Sequence, residues 1–177
     1  MGKTTKYEDS PIYIDPRNIK LEAKIICKFE DIEKIVKKLN LAPVDKEKYY
    51  SKSFEIGIPQ TDLNKLKDKI FGIENNLDEL NGIDFKKGCY VGQENTARIK
   101  LRGKLRRRIL PVKKISGEIY ENDIIKYKNN EIGKIIIGHP YSFALVKIIE
   151  PDLKEFKNKE LNCGKSKVKI IEPQWFN

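Results

Sequence analysis

The segment after Arg106 constrains the fold most tightly. Five runs, RRRILPVKKI, DIIKY, EIGKIIIG, FALVKIIE and SKVKIIE, either alternate apolar with polar residues or are apolar throughout, and Gly, Asn and Pro separate them. Strands so short and so closely spaced cannot bury a face singly, so they are expected to close on one another as a small antiparallel barrel over about residues 103–173.

Upstream the texture is mixed. Leu21, Ala23 and Ile25 alternate with charged or polar neighbours and predict a half-buried strand from about Ile19 to Phe29, with Cys27 on its inward face as a small core residue. Ile32, Ile35, Val36 and Leu39 then fall at helical spacing behind Asp31, whose charge suits a helix start. Tyr49, Tyr50 and Phe54 lead into a chain reversal at Gly57-Ile58-Pro59, after which Thr61 is placed to cap a short helix carrying Leu63, Leu66 and Ile70. The expected fold class is α+β, with a mixed α/β lobe in residues 1–102 followed by a small antiparallel β-barrel in 103–177.

Between the two lies Phe85 to Arg108, FKKGCYVGQENTARIKLRGKLRRR. Cys89 is bracketed by Gly88 and Gly92, which predicts a tight turn that presents its thiol. Lys86 and Lys87 before it, and a helix starting near Gly92 with Glu94 in its first turn, favour the thiolate. An ordinary packing turn fits the same spacing. His139, the sole histidine, lies in GHPYS, a barrel turn, so a Cys89-His139 dyad has little behind it.

Charge is informative here by its distribution. The net charge is +10, yet lysines are scattered along the chain, whereas every arginine except Arg17 lies between Arg98 and Arg108. Arg98, Arg102, Arg106, Arg107 and Arg108 can track a phosphate backbone, which keeps an RNA-binding module and a tRNA contact open. Arg102, Arg106 and Arg108 also share one face of an alternating strand, and a solvated strand face is the simpler reading. Cys27, Cys89 and Cys163 are widely spaced with no CxxC pair, which fits a reducing compartment and reads as cytoplasmic. They are too few and too far apart to hold an iron–sulfur cluster unaided. No run reaches membrane-spanning length, and Walker, dinucleotide and zinc-ligand patterns are absent.

Lys87 to Glu94, KGCYVGQE, resembles the signature of the YgfZ-type folate-binding proteins, a family tied to iron–sulfur enzyme maturation and related to the glycine-cleavage aminomethyltransferase. DPR at Asp15 to Arg17, GIP at Gly57 to Pro59, LNGIDF before the signature and ARIKLRGKLRRR after it support the resemblance, which spans about residues 11–150. It implies an aminomethyltransferase-like folate-binding lobe ahead of the barrel. It also implies tetrahydrofolate as cofactor, and an accessory role in making or repairing clusters of client enzymes, including tRNA-modifying ones, alongside assembly factors. By residue it points to Cys89 as the functional thiol and to Lys87, Gly88, Tyr90, Gly92, Gln93 and Glu94 as the loop that shapes and anchors it. The aminomethyltransferase relatives make a folate-dependent aminomethyl or methyl transferase the alternative. The chain resembles the C-terminal portion of such proteins, whose further lobe helps form the folate cavity, so tetrahydrofolate binding by this chain alone is expected to be weak or absent.

Overall fold

The computed structural model describes residues 4–89, 91–103 and 105–176. Its N-terminal part is an antiparallel meander of β1 (Thr4–Tyr7), β2 (Ser10–Ile14) and β3 (Ala23–Ile25), in that order. The strand expected over Ile19 to Phe29 is thus cut to three residues. The Asn18 side chain accepts from Lys20 N at 3.0 Å and starts a 3-10 turn at Ile19–Leu21, which Glu22 ends with φ +63, a conformation no strand continues through. Cys27 consequently lies beyond β3 and is half-buried.

Helix α1 (Ile32–Lys38) forms where the apolar spacing predicts it, although Ile35 is its one buried residue. The next helix, α2 (Lys46–Ile56), replaces what reads in sequence as an aromatic lead-in to a reversal. Its signals are the caps: the Asp45 side chain accepts from Glu47 N at 2.9 Å, and Gly57 ends the helix at φ +86. Gly57 is irreplaceable on packing grounds too, since a Cβ there would lie 2.3 Å from Pro173 Cγ. Ser53, fully buried, closes the reversal by donating to Ile58 O at 2.7 Å. The helix expected after Thr61 is a 3-10 turn at Leu63–Leu66, preceded by Asp62 in a left-handed conformation. Turns then run through residues 72–81, and α3 (Gln93–Arg102) follows the Cys89 loop.

The barrel is built from β4 (Arg107–Ser116), β5 (Ile124–Tyr127), β6 (Asn130–Ile137), β7 (Phe143–Lys147), β8 (Leu161–Cys163) and β9 (Ser166–Ile170), with the short α4 (Leu153–Phe156) between β7 and β8. It closes in the order β4-β7-β6-β5-β8-β9, all pairs antiparallel. The sequence shows five of the six strands; β8 is three residues of LNCGK and too brief to register as an alternation. The α+β class and the barrel are therefore as expected.

The uninterrupted apolar runs have a direct cause. Leu110, Val112, Ile135, Ala144 and Val146 fill the barrel interior, while Ile109, Ile136, Ile137, Phe143 and Leu145 form a second cluster with Leu66, against which Phe54 and Ile70 pack. Strands covered on both faces lose their alternation. An irregularity in the β6–β7 register between Ile135 and Ile137 breaks the alternation, so the adjacent Ile136 and Ile137 serve the same cluster while Ile135 faces the other. Trp175 joins a third cluster of Leu21, Ile58 and Leu80, and its Nε1 donates to Ile56 O at 2.7 Å.

Asp15, 3% exposed, ties the meander to α2. Arg17 grips it through Nε and Nη2 at 3.0 and 2.7 Å, and Lys24 Nζ lies 2.8 Å away while sitting 5.6 Å from the Tyr49 ring centroid. The guanidinium, helped by Lys24, holds the Asp15 carboxyl well below the usual carboxylate range. A depressed folded-state pKa stabilises above the unfolded value and is lost as pH falls. Asp15→Asn should therefore cost about 2 kcal/mol at neutral pH by urea denaturation. That difference from the wild type should shrink as pH drops below about 4; a gap independent of pH would mean that the carboxylate charge contributes nothing.

Candidate functional site

The Cys89 loop is held from below and open above. The Asp84 side chain accepts from Lys86 N at 2.8 Å, turning the chain so that Lys86, Lys87, Gly88 and Cys89 all stand exposed. Three residues past Cys89, Gly92 adopts φ +85 and becomes the N-cap of α3, with Glu94 in the first helical turn. The helix start expected near Gly92 is thus in place. Of the bracketing glycines, Gly92 requires the left-handed region. Gly88 does not, and a Cβ added there would meet nothing within 4 Å. Gln93 is half-buried and Glu94 exposed. Tyr90 lies outside the described residues.

Helix α3 is itself lightly attached. It has no buried residue, and Val91 before it and Leu101 within it are almost wholly exposed. Lys100 helps to anchor it, pairing with Asp78 and placing Nζ 4.7 Å from the Phe85 ring centroid. Gly103 ends it at φ +57.

The five clustered arginines do not form one face. Arg98 donates to Asn95 at 2.9 Å on α3, Arg102 is the last residue of that helix, and Arg106 precedes β4, so the shared strand face expected for Arg102, Arg106 and Arg108 does not exist. The helix runs on to its C-cap Gly103 where the sequence predicts an alternating strand. Arg107 meets Glu74 at 3.0 Å, and Arg108, mostly buried, pairs with Glu79, donates to Asn76 Oδ1 at 3.1 Å and lies 5.1 Å from the Phe176 centroid. Asn76 Nδ2 in turn donates to Ile109 O at 2.8 Å. Two of the five arginines thus serve to clamp the 72–81 turns onto β4. Sequence reasoning missed the acids; Glu74, Asp78 and Glu79, closely spaced ahead of the basic cluster, were the available signal.

His139 is exposed in the β6–β7 turn. Among the described residues no three His, Cys, Asp or Glu side chains gather to hold a metal ion, and no helix is long and apolar enough to cross a membrane. Two clefts open on the described surface. One, of about 370 Å³, is bordered by Lys20, Lys52, Ile56 and Trp175; the other, of about 770 Å³, lies beside α3 and includes Ile99, Arg106 and Arg107. Among the described residues of the signature loop, none lines either of them.

Comparison with known proteins gives partial matches. The chain is 49% identical over 63 residues to the iron–sulfur cluster assembly factor IBA57 homolog, mitochondrial, of Neurospora crassa, a match covering 36% of this chain and 14% of that protein. It is 33% identical over 99 residues to the mitochondrial iron–sulfur cluster assembly factor IBA57 of Mus musculus, covering 56% of this chain and 27% of the relative. The homolog of Dictyostelium discoideum is 50% identical over 56 residues, 32% of this chain and 14% of the relative. The matched stretch therefore spans at most 27% of the length of these relatives. No family model matches. The names of all three relatives include mitochondrial, which overturns the cytoplasmic expectation. Widely spaced cysteines report the lack of a disulfide framework and do not distinguish one reducing compartment from another.

The three thiols differ in access. Cys89 is exposed, Cys27 half-buried and Cys163 buried, and burial pushes the Cys163 thiol up to about 11. Brief iodoacetamide treatment of the native protein, read by mass spectrometry, should label Cys89 first and leave Cys163 unmodified. Equal labelling of the three would contradict this geometry.

Proposed function

We propose that this chain serves iron–sulfur cluster assembly as an accessory protein, with Cys89 as its functional thiol and assembly components and client enzymes, tRNA-modifying ones among them, as its partners. One observation carries the reading: Cys89 stands exposed before α3 in a loop whose glycine at position 88 answers no demand of this chain's own packing. A Cβ-free, uncrowded approach to a thiol suits a molecule that comes to it from outside. The relatives named as iron–sulfur cluster assembly factors supply the chemistry that such a visitor brings.

A cluster is cargo in this reading. Iron–sulfur clusters are usually held by four thiolates, and among the described residues no three His, Cys, Asp or Glu side chains gather to hold a metal ion. Cys89 supplies one soft ligand at most, and a partner supplies the others. Tetrahydrofolate, implied by the signature, belongs to a cavity that Lys87 to Glu94 would complete from one side together with a further lobe. Isothermal calorimetry with this chain alone should accordingly show no affinity tighter than about millimolar. A low-micromolar Kd would locate the whole folate site within these residues.

The decisive experiment is complementation. In cells lacking their own IBA57-type protein, the full-length protein should restore iron–sulfur enzyme activity, and Cys89→Ser should lower the restored activity about tenfold or more at matched soluble protein levels. Serine keeps the shape of the turn and removes the soft, ionisable sulfur. Cys27→Ser, the control, should retain the activity per folded molecule. Full rescue by Cys89→Ser would reduce Cys89 to a structural part of its turn.

A further inference from the structure

The larger cleft lies where α3, the turns after Phe71 and the end of β7 meet. Four apolar side chains line it, Phe71, Ile99, Leu105 and Ile149, together with Arg106, Arg107 and Lys147. Phe71 and Ile149 are 52% and 46% exposed, and Ile99 and Leu105 are half-buried, so a contiguous apolar surface faces water.

The charge around it is unbalanced. Two acids line it, the exposed Glu150 and the enclosed Glu74; Glu74 takes up Arg107 at 3.0 Å and accepts from Phe71 N at 2.9 Å, which leaves Arg106 and Lys147 as the cations open to a visitor. Lys147 donates to the Glu131 carbonyl at 2.9 Å, a partner that leaves its charge uncompensated. Arg106 is exposed, and Arg98 and Arg102 extend the cationic surface along α3. An RNA strand is the poorer occupant, because sequence-tolerant single-strand binding relies on successive aromatic platforms and the cleft has one aromatic ring.

We propose that this cleft docks an acidic amphipathic segment of a partner protein, its apolar side chains seated on Phe71, Ile99, Leu105 and Ile149 and its carboxylates against Arg106 and Lys147. At about 770 Å³ the space suits a few large side chains. Apolar contact supplies affinity, and the cations supply orientation and rate of encounter. The docked segment lies against the helix whose leading loop holds Cys89. The inference goes beyond the thiol reading and does not depend on it.

The test is fluorescence anisotropy with three labelled probes: a short peptide alternating Glu with Leu and Phe, the same peptide with Lys for Glu, and a Glu-Ser peptide without apolar residues. The first should bind the intact chain, and raising salt from low to physiological strength should weaken it. The other two should bind at least about tenfold more weakly. Arg106→Glu with Lys147→Glu, and separately Ile149→Asp, should each weaken the first probe about tenfold, whereas Lys126→Glu on the far strand β5 should not. Circular dichroism melting of each variant checks that the fold persists. Equal binding of the Glu-Ser peptide, or indifference to both the charge reversals and Ile149→Asp, would overturn the proposal. So would a single-stranded RNA probe that binds through Arg106 and Lys147 more tightly than the peptide and ignores Ile149→Asp.

Discussion

Strand β4 carries two faces at once, and the rest of the molecule depends on that. Leu110 and Val112 point into the barrel; Ile109 points the other way, into the cluster that Leu66, Phe54 and Ile70 complete. Fully burying each such side chain is worth about 1.5–3 kcal/mol, so neither body could tolerate its removal. The polar clamp fixes the same strand from the side: Arg107 to Glu74, Arg108 to Glu79 and Asn76 to the Ile109 carbonyl. Buried charges taken singly are costly, but here each arginine meets a carboxylate and the arrangement fixes where the turns of 72–81 sit.

Burial is distributed unequally around that junction. The barrel is densely lined with buried side chains, whereas the segments on either side of α1 leave Phe29, Ile26 and Val44 largely in water, and no described residue of α3 is fully buried. Local opening costs least where few apolar contacts must be given up. The loop with Cys89 therefore rides on the part of the structure freest to adjust, tethered through Lys100 to Asp78 and Phe85, while the barrel supplies a rigid reference.

How much of this could be read in the sequence followed from how local each cause was. The barrel was legible because consecutive strands repeat one pattern, and the start of α3 was legible because Gly92 and Glu94 sit at its end. Exposure of Cys89 followed from its glycines. Helix α2 is hidden because its caps, Asp45 and Gly57, are separated by eleven residues. The arginines misled for a different reason. Whether a cation faces water or a carboxylate depends on what folds beside it, and Glu74 and Glu79 reach Arg107 and Arg108 across more than two dozen intervening residues. Neither cleft could be foreseen, since each gathers residues from several elements.

The contacts of residues 166–176 bear on the order in which the molecule can be assembled. β9 is the strand that joins β8 to β4 and so seals the barrel, and Trp175 is the side chain that reaches Ile56 and the cluster around Leu21, Ile58 and Leu80. A ribosome delivers these residues after all the partners they join. Until then the barrel is an open sheet with two unpaired edges, and the N-terminal cluster lacks its indole, so both halves wait on the same few residues. A nascent chain stalled before residue 166 therefore exposes two strand edges to pairing with other chains.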